Sequence, residues 1–307
     1  FSSNMSADDM SINSFLSSLG DAGTYTKAQF QYSDYYDGVG WLGTLTDFDN
    51  LSMYIINLTG SSGNITYEGN TLIPSEVPIA LDIGWNWISY IPQESIDINS
   101  ALASIGSDGI HIKSHLGFAD YYEGAGWIGT ISALNPKEGY KLNASAQTTL
   151  TYPDPTTSYS SMHLEDNIEI NNYKWNFDFR DFKNNGSATI AIDNNDILIE
   201  EGDQIGAFYN DDCRGIGFAK ESTLNNTIVF QTMVYGDEIN IDMNFKLYDI
   251  SDDKVYDLTE SILYYPNIHL NNILEPLMMS RESFNSLKLN NPYPNPFNPV
   301  TTISYNI

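Results

Sequence analysis

Short runs of alternating apolar and polar residues, separated by turn residues, recur along most of the chain. Two of these runs stand in the first half, at 84–90 and 139–142. The second half contains seven more, at 174–179, 188–192, 204–209, 215–219, 227–233, 244–249 and 254–258. A period of two with frequent turns is typical of β-strands. The pattern predicts a mainly β protein with an antiparallel β-sandwich in its second half.

Two short segments follow a helical period instead. In the later segment Asp97 can cap the helix, Ile98 and Leu102 mark one face, and Gly106 can end it. Residues 12–20 repeat this arrangement. We therefore expect one short helix in each half of the region before residue 152.

These helices belong to two copies of one module. Residues 12–44 and 98–130 align without a gap at an offset of 86, and 16 of the 33 positions are identical. The clearest match is Asp-Tyr-Tyr-x-Gly-x-Gly-Trp-x-Gly-Thr, which closes both segments. Self-similarity at a fixed offset predicts tandem structural units. At the same offset Phe1 matches Trp87, in the middle of a strand, so we expect further residues before Phe1.

The repeat and a Pro- and Thr-rich linker at 152–158 predict the domain boundaries. Module 1 should span 1–75 and be small and α+β, module 2 should be alike and span 76–153, and the β-sandwich should span 154–283. The remaining residues, 284–307, should begin a further domain.

The charge balance limits the partners of this chain. With 13 Lys and Arg against 40 Asp and Glu, the net charge is −27. Such a surface repels phosphate backbones, so we expect no nucleic-acid partner. No apolar run approaches the roughly 20 residues that a membrane-spanning helix needs, so we expect no transmembrane segment. The single cysteine, Cys213, rules out an internal disulfide and fits a small buried apolar residue.

The aromatic residues of the repeat are candidate ligand-binding residues. They are Tyr35, Tyr36, Trp41, Tyr121, Tyr122 and Trp127. Exposed aromatic rings can stack on sugars, which would make each module a carbohydrate-binding unit. The alternative is that each Trp fills the core of a small domain with Tyr packed beside it.

A calcium ion is the one cofactor that the sequence leaves open. Oxygen ligands stand at the spacing of an EF-hand loop, at Asp249, Ser251, Asp253, Asp257 and Glu260. The loop glycine is replaced by Lys254, and a hairpin turn explains the same residues more simply. His111 and His115 have a spacing that suits zinc on a helix, but their segment is predicted as strand or loop, so we expect no zinc site there.

No sequence pattern of an enzyme is present. The chain has no Gly-x-Ser-x-Gly elbow, no His-Glu-x-x-His pair and no phosphate-binding glycine loop. We therefore expect no catalytic activity from these residues.

The repeat resembles a module of large exported proteins of Bacteroidetes-like and marine bacteria. The resemblance lies in Gly-Trp-Asn-x-Ile-Ser at 84–89, Ile-Lys-Ser at 112–114 and Gly-Trp-x-Gly-Thr at 126–130. Residues 202–217 and 245–249 resemble a β-module that precedes export signals in secreted proteins. The first resemblance implies no enzymatic activity, and the second implies an accessory module whose ligand is generally unassigned.

Residues 291–305 closely resemble the start of the C-terminal sorting domain of type IX secretion. The characteristic motif consists of Pro294, Asn295, Pro296, Phe297, Asn298 and Pro299. The resemblance implies an Ig-like sandwich, of which 284–307 would supply the first strand, and recognition by the type IX translocon. It also implies a location on the outer-membrane surface or outside the cell.

These observations predict an exported multi-modular protein whose modules serve adhesion, binding or spacing. Its ligand would be a polysaccharide or another surface molecule. Two alternatives stay open: an accessory region of a secreted peptidase or glycosidase whose catalytic domain lies upstream, and a set of carbohydrate-binding modules.

Overall fold

The computed structural model describes residues 1–60, 63–155, 173–193 and 198–281, together with the backbone of 288–289 and 305–306. The prediction of a mainly β protein is confirmed. Every helix in the described part of the chain is short.

Module 1 is a four-stranded antiparallel sheet over a small core. Its strands are β1 (Met5–Ser6), β2 (Gly23–Lys27), β3 (Tyr32–Tyr36), β4 (Gly40–Gly43), β5 (Ile55–Leu58) and β6 (Asn70–Thr71), and its helices are α1 (Ile12–Phe15) and a 3-10 helix (Ser17–Ala22). The sheet order is β4-β3-β2-β5, and β1 pairs separately with β6. The core contains Phe15, Leu16, Trp41 and Tyr54.

Module 2 repeats this arrangement with one more strand in its sheet. Its elements are a 3-10 helix (Pro74–Glu76), β7 (Ile79–Leu81), β8 (Gly84–Ser89), β9 (Ile96–Asp97), α2 (Ile98–Ala101), a 3-10 helix (Gly106–Asp108), β10 (Gly109–Lys113), β11 (Phe118–Tyr122), β12 (Gly126–Gly129), β13 (Ala133–Leu134), β14 (Gly139–Ala144) and β15 (Thr148–Leu150). The sheet order is β12-β11-β10-β14-β8. The predicted cap is confirmed, because the Asp97 carboxylate accepts the Ser100 N–H at 3.0 Å.

The two modules meet at the edge of strand β8. The Ser89 N–H donates to the Leu51 carbonyl at 3.0 Å. The side-chain amide of Gln29 donates to the Trp85 carbonyl at 2.7 Å and accepts the Trp87 N–H at 2.9 Å. The backbone of Leu51 and the side chain of Gln29, both in module 1, thus provide hydrogen-bond partners for backbone N–H and C=O groups along the edge of β8.

The C-terminal β-domain is one curled sheet of eight strands. They are β16 (Asn185–Asp193), β17 (Gln204–Tyr209), β18 (Asp212–Glu221), β19 (Ile228–Tyr235), β20 (Ile241–Asp249), β21 (Lys254–Tyr264), β22 (His269–Leu270) and β23 (Leu277–Ser280). The order is β21-β20-β17-β18-β19-β16-β22, with β23 also paired to β16. A bridge between Leu258 and Arg281 brings the two ends of the sheet together around the core.

Two details differ from the sequence-based expectation. Strands β22 and β23 run parallel to β16, so the sheet is mixed and not purely antiparallel. Residues 174–179 form no strand, although their aromatic residues alternate. Trp175 instead packs on Phe208, and Phe177 on Tyr235, without backbone hydrogen bonds to a neighbouring strand.

At the end of the chain, β24 (Lys288–Leu289) pairs with β25 (Tyr305–Asn306).

Candidate functional site

The tryptophan of each module lies inside its core. Trp41 and Trp127 are each 4% exposed. The side chain of Asn13 accepts the Trp41 N–H at 2.8 Å and donates to the Trp41 carbonyl at 3.3 Å. Asn99 makes the same pair of bonds to Trp127, at 2.7 and 3.3 Å. The structure thus places both indoles as the core-packing alternative expects, and neither ring faces solvent for stacking on a sugar.

The first tyrosine of each Tyr-Tyr pair supports its indole. Tyr35 meets Trp41 edge-on with ring centroids 5.4 Å apart, and Tyr121 meets Trp127 at 5.6 Å. Both tyrosines are partly buried. Edge-to-face contacts of this kind stabilise small cores.

The second tyrosine of each pair lies on the outer face of its sheet, where the modules differ. Tyr36 is 52% exposed, whereas Tyr122 is 7% exposed. The Tyr122 hydroxyl accepts the N–H of Ile273 from the C-terminal β-domain at 2.9 Å. Burial raises the pKa of Tyr122 to about 12.

The β-domain covers the outer face of the module 2 sheet. Phe118 is fully buried against Met233 and Tyr235. The ammonium of Lys113, also fully buried, donates to the Asn185 carbonyl at 2.9 Å. This face is therefore an interface between domains.

The matching face of module 1 is open, and we call it the tyrosine face. It consists of Tyr25, Tyr32, Asp34, Tyr36 and Leu42. Strand register places Tyr25, Asp34 and Leu42 directly opposite one another. Tyr32 and Tyr36 lie two residues to either side of Asp34 and therefore share its face. The rings of Tyr25 and Tyr32 stack with centroids 6.1 Å apart, and Tyr32, Tyr36 and Leu42 are about half exposed.

A second arrangement, the histidine cluster, lies between module 2 and the β-domain. It consists of His111, Asp120 and His269, with Ser187 beside them. Asp120 Oδ1 is 2.7 Å from His111 Nδ1 and 3.1 Å from His269 Nε2. Ser187 Oγ is 3.0 Å from His269 Nδ1 and 3.4 Å from His111 Nε2. The other oxygen of Asp120, Oδ2, is buried and has no hydrogen-bond partner.

Burial and hydrogen bonds together determine the charges in the histidine cluster. Burial lowers the pKa of His111 to about 4, against the opposite influence of the Asp120 hydrogen bond. Burial alone would raise the pKa of Asp120, but hydrogen bonds from His111 and His269 outweigh it and hold that pKa below its usual value. At neutral pH the cluster therefore contains a carboxylate and a neutral His111.

Ser187, His269 and Asp120 are connected like the triad of a serine hydrolase, but the geometry does not support catalysis. Ser187 is fully buried within strand β16. A nucleophilic serine must reach the carbonyl carbon of a substrate. No substrate can reach Ser187 in this arrangement, so the serine has a structural role.

His115 lies apart from the cluster, although it stands four residues after His111. Its ring packs on Phe179 at 4.9 Å and on Tyr235 at 6.1 Å. Burial and the nearby Lys141 lower the pKa of His115 to about 4. In the described ranges, the histidine cluster is the one group of three His, Cys, Asp or Glu side chains close enough together for a metal ion.

The residues considered as a calcium loop form a β-hairpin, which is the simpler of the two interpretations that the sequence offers. Strands β20 and β21 pair from Asp249 and Lys254 onward, leaving a turn at 250–253. The carboxylates point to different partners: Asp249 to Ser251, Asp253 to Lys174, Asp257 to Lys246 and Glu260 to the Ser280 N–H. The long strand β21 carries Asp257 and Glu260 away from the turn, so the five residues do not surround one point.

Cys213 lies half-buried in strand β18. Its thiol donates to the Gly215 carbonyl at 3.6 Å. Burial raises the pKa of the Cys213 thiol to about 11. A thiol that stays protonated is a poor nucleophile, and Cys213 is only partly buried where the sequence predicted a buried residue.

Lysines gather in a cleft where the two modules and the β-domain meet. Lys113, Lys141 and Lys183 line it. The Lys141 ammonium lies 4.7 Å from the Trp87 ring and donates to Asn267 Oδ1 at 3.1 Å. Burial lowers the pKa of Lys141 to about 8. Because the ammonium groups of Lys113 and Lys141 are bonded across the interface, they serve chiefly to join the domains.

Neither the remaining residues singled out in the sequence nor comparison of the chain with known proteins adds a further site. The sorting-signal residues, Pro294 to Pro299, lie outside the described residues. No helix in the described ranges is both long and apolar enough to cross a bilayer. The chain matches no model of a known family, no curated protein and no solved structure. The candidate sites are therefore defined by geometry alone.

Proposed function

We propose that this chain is a non-catalytic binding region of an exported surface protein, and that its tyrosine face binds a neutral polysaccharide. One observation supports the binding surface above all. The same sheet face occurs twice in the chain, filled by a protein domain in module 2 and open in module 1.

The residues of the open face suit a sugar better than a second protein domain. Where module 2 buries Phe118, module 1 exposes Tyr32, which adds a hydroxyl to the ring. Tyrosine combines an apolar ring with a polar hydroxyl. The ring can stack on a sugar, and the hydroxyl is hydrated when no ligand is bound. The carboxylate of Asp34, in the middle of the face, can accept hydrogen bonds from sugar hydroxyls.

The charge of module 1 favours a neutral ligand. Residues 1–75 carry eight Asp and Glu and a single basic residue, Lys27. A surface with this balance repels sulfated and uronic-acid polymers. The expected ligands are therefore neutral polysaccharides such as β-glucans, xylans and mannans.

Affinity gel electrophoresis of the 307-residue chain in gels that contain β-glucan, xylan or glucomannan tests the proposal. We expect retardation in at least one gel. Tyr32→Ala and Tyr36→Ala should each weaken binding roughly 3- to 10-fold, as the loss of one ring contact does.

Tyr265→Ala is the matched control, because Tyr265 is equally exposed but lies on the β-domain. It should leave the retardation unchanged. No retardation in any gel, or an equal loss with Tyr265→Ala, would refute the tyrosine face as the binding surface.

Export is supported by the resemblance of residues 291–305 to a type IX sorting domain. The test is immunolabelling of intact and permeabilised cells that make the native protein. We expect equal labelling in both, since the epitopes would lie outside the outer membrane. Labelling confined to permeabilised cells would contradict export.

A further inference from the structure

We propose that His111, Asp120 and His269 bind one divalent transition-metal ion of the zinc class, which joins module 2 to the C-terminal β-domain. His111 and Asp120 lie opposite each other on β10 and β11, while His269 comes from β22. Their ligand atoms all lie within 4.8 Å of one another. The site is independent of the tyrosine face and of the proposed function.

The donor set determines the class of ion. Two imidazole nitrogens and a carboxylate oxygen suit zinc and its neighbours in the first transition row. Calcium and magnesium prefer sites made wholly of oxygen atoms. Three protein ligands leave a fourth position for water, and the His269 side chain, 29% exposed, gives an ion access to the site.

The hydrogen-bond count favours an ion over a purely hydrogen-bonded cluster. Ser187 Oγ faces one ring nitrogen of each histidine. Without a metal and with both imidazoles neutral, both histidines donate to Asp120, and the single hydroxyl hydrogen of Ser187 can serve only one of the two remaining ring nitrogens.

With a metal on His111 Nδ1 and His269 Nε2, both other ring nitrogens carry hydrogens. Ser187 Oγ has two lone pairs and can accept both. Metal-bound histidines commonly donate in this way to an oxygen behind them. Asp120 Oδ2, which is buried and has no hydrogen-bond partner, could then also coordinate the ion.

Module 1 supplies an internal comparison. The positions that match His111 and Asp120 are Tyr25 and Asp34, which pair in the same register. Module 1 therefore has the carboxylate but lacks both imidazoles. Asp34→Asn is the matched control for Asp120→Asn.

The test is calorimetric titration of the tag-free 307-residue chain with Zn²⁺, and with Co²⁺ as a spectroscopic substitute. We expect one ion per chain and a visible Co²⁺ spectrum of tetrahedral type. Removal of a ligand in His269→Ala or Asp120→Asn should weaken binding by more than about 100-fold, and Ser187→Ala by about 10-fold. Asp34→Asn should bind Zn²⁺ and Co²⁺ with the affinity of the unaltered chain.

Thermal unfolding provides a second measurement. Zinc should raise the unfolding midpoint of the unaltered chain, and a chelator should reverse the rise. Because His269 lies partly in solvent, His269→Ala should fold, as circular dichroism would verify, and its midpoint should not respond to zinc. The absence of saturable binding by the folded chain, or binding that survives both ligand substitutions, would overturn the proposal.

Discussion

Tyr36 and Tyr122 occupy the same position in two copies of one module, yet only Tyr122 is bound by another domain. Its hydroxyl accepts the Ile273 N–H at 2.9 Å, whereas the Tyr36 side chain is half exposed. The repeat thus presents one surface in two states, covered and open.

The hydroxyl of Tyr122 should stabilise the fold, and that of Tyr36 should not. Tyr122→Phe leaves the buried N–H of Ile273 without a partner, which should cost about 1–3 kcal/mol of unfolding free energy. Tyr36→Phe is the matched control and should change it by less than about 0.5 kcal/mol. Urea unfolding followed by fluorescence measures both. Equal effects of the two substitutions would mean that Tyr122 is not buried as described.

The tryptophans should matter for stability more than for binding. Trp127→Ala removes a large buried side chain and should cost about 3–5 kcal/mol of unfolding free energy, and Trp41→Ala should cost a similar amount. Asn99→Ala, which removes two hydrogen bonds to Trp127 but no core volume, should cost less. Urea midpoints of the three variants give the ranking. A stable Trp127→Ala chain that has lost polysaccharide binding would instead place the indole at the ligand.

Stability should fall as the pH drops from about 6.5 to 4. The pKa of His115 is lowered from 6.5 to about 4 in the folded chain. Between these values the unfolded chain binds the proton and the folded chain does not, so acid favours unfolding. A shift of this size corresponds to roughly 3 kcal/mol for one buried histidine.

His115→Phe should remove its share of this pH dependence, because a phenyl ring can pack on Phe179 and Tyr235 without titrating. The measurement is the urea midpoint at several values between pH 4 and 7. His111 has a similarly lowered pKa and should maintain part of the slope in the variant. An unchanged slope in His115→Phe would show that His115 titrates normally.

Cys213 should react slowly with alkylating reagents. With its pKa raised to about 11, only about 0.1% of the thiol is ionised at pH 8. Iodoacetamide should therefore modify the folded chain far more slowly than the urea-unfolded chain. Equal rates in the two states would mean that the thiol is exposed and unperturbed.

Strands β16 to β21 of the β-domain were predictable because alternation reports which face of a segment is buried. The helix cap at Asp97 was equally predictable, since capping depends on nearby residues. Alternation does not show whether a neighbouring strand is present, and this is why 174–179 was wrongly predicted as a strand. Nor does it show the direction of a partner, so the parallel pairing of β22 and β23 with β16 was missed.

The candidate sites depended on contacts between distant parts of the chain. The sequence could not distinguish a buried from an exposed Trp41, because both arrangements need an aromatic residue between glycines. The histidine cluster was missed because His269 reaches Asp120 only after the β-domain has docked on module 2. Comparison of the two repeats offered one signal, since module 2 has His111 where module 1 has Tyr25.

The amide of Gln29 bonds to two backbone groups of β8, beside the strand contacts that link the modules. A joint made by backbone pairing resists bending, so module 1 is held at a fixed angle to the sheet of module 2. A long polymer meeting this chain would encounter a surface whose orientation is already set, and less entropy would be lost on capture. Several such chains side by side could then bind one polymer at several points, which would raise the overall affinity.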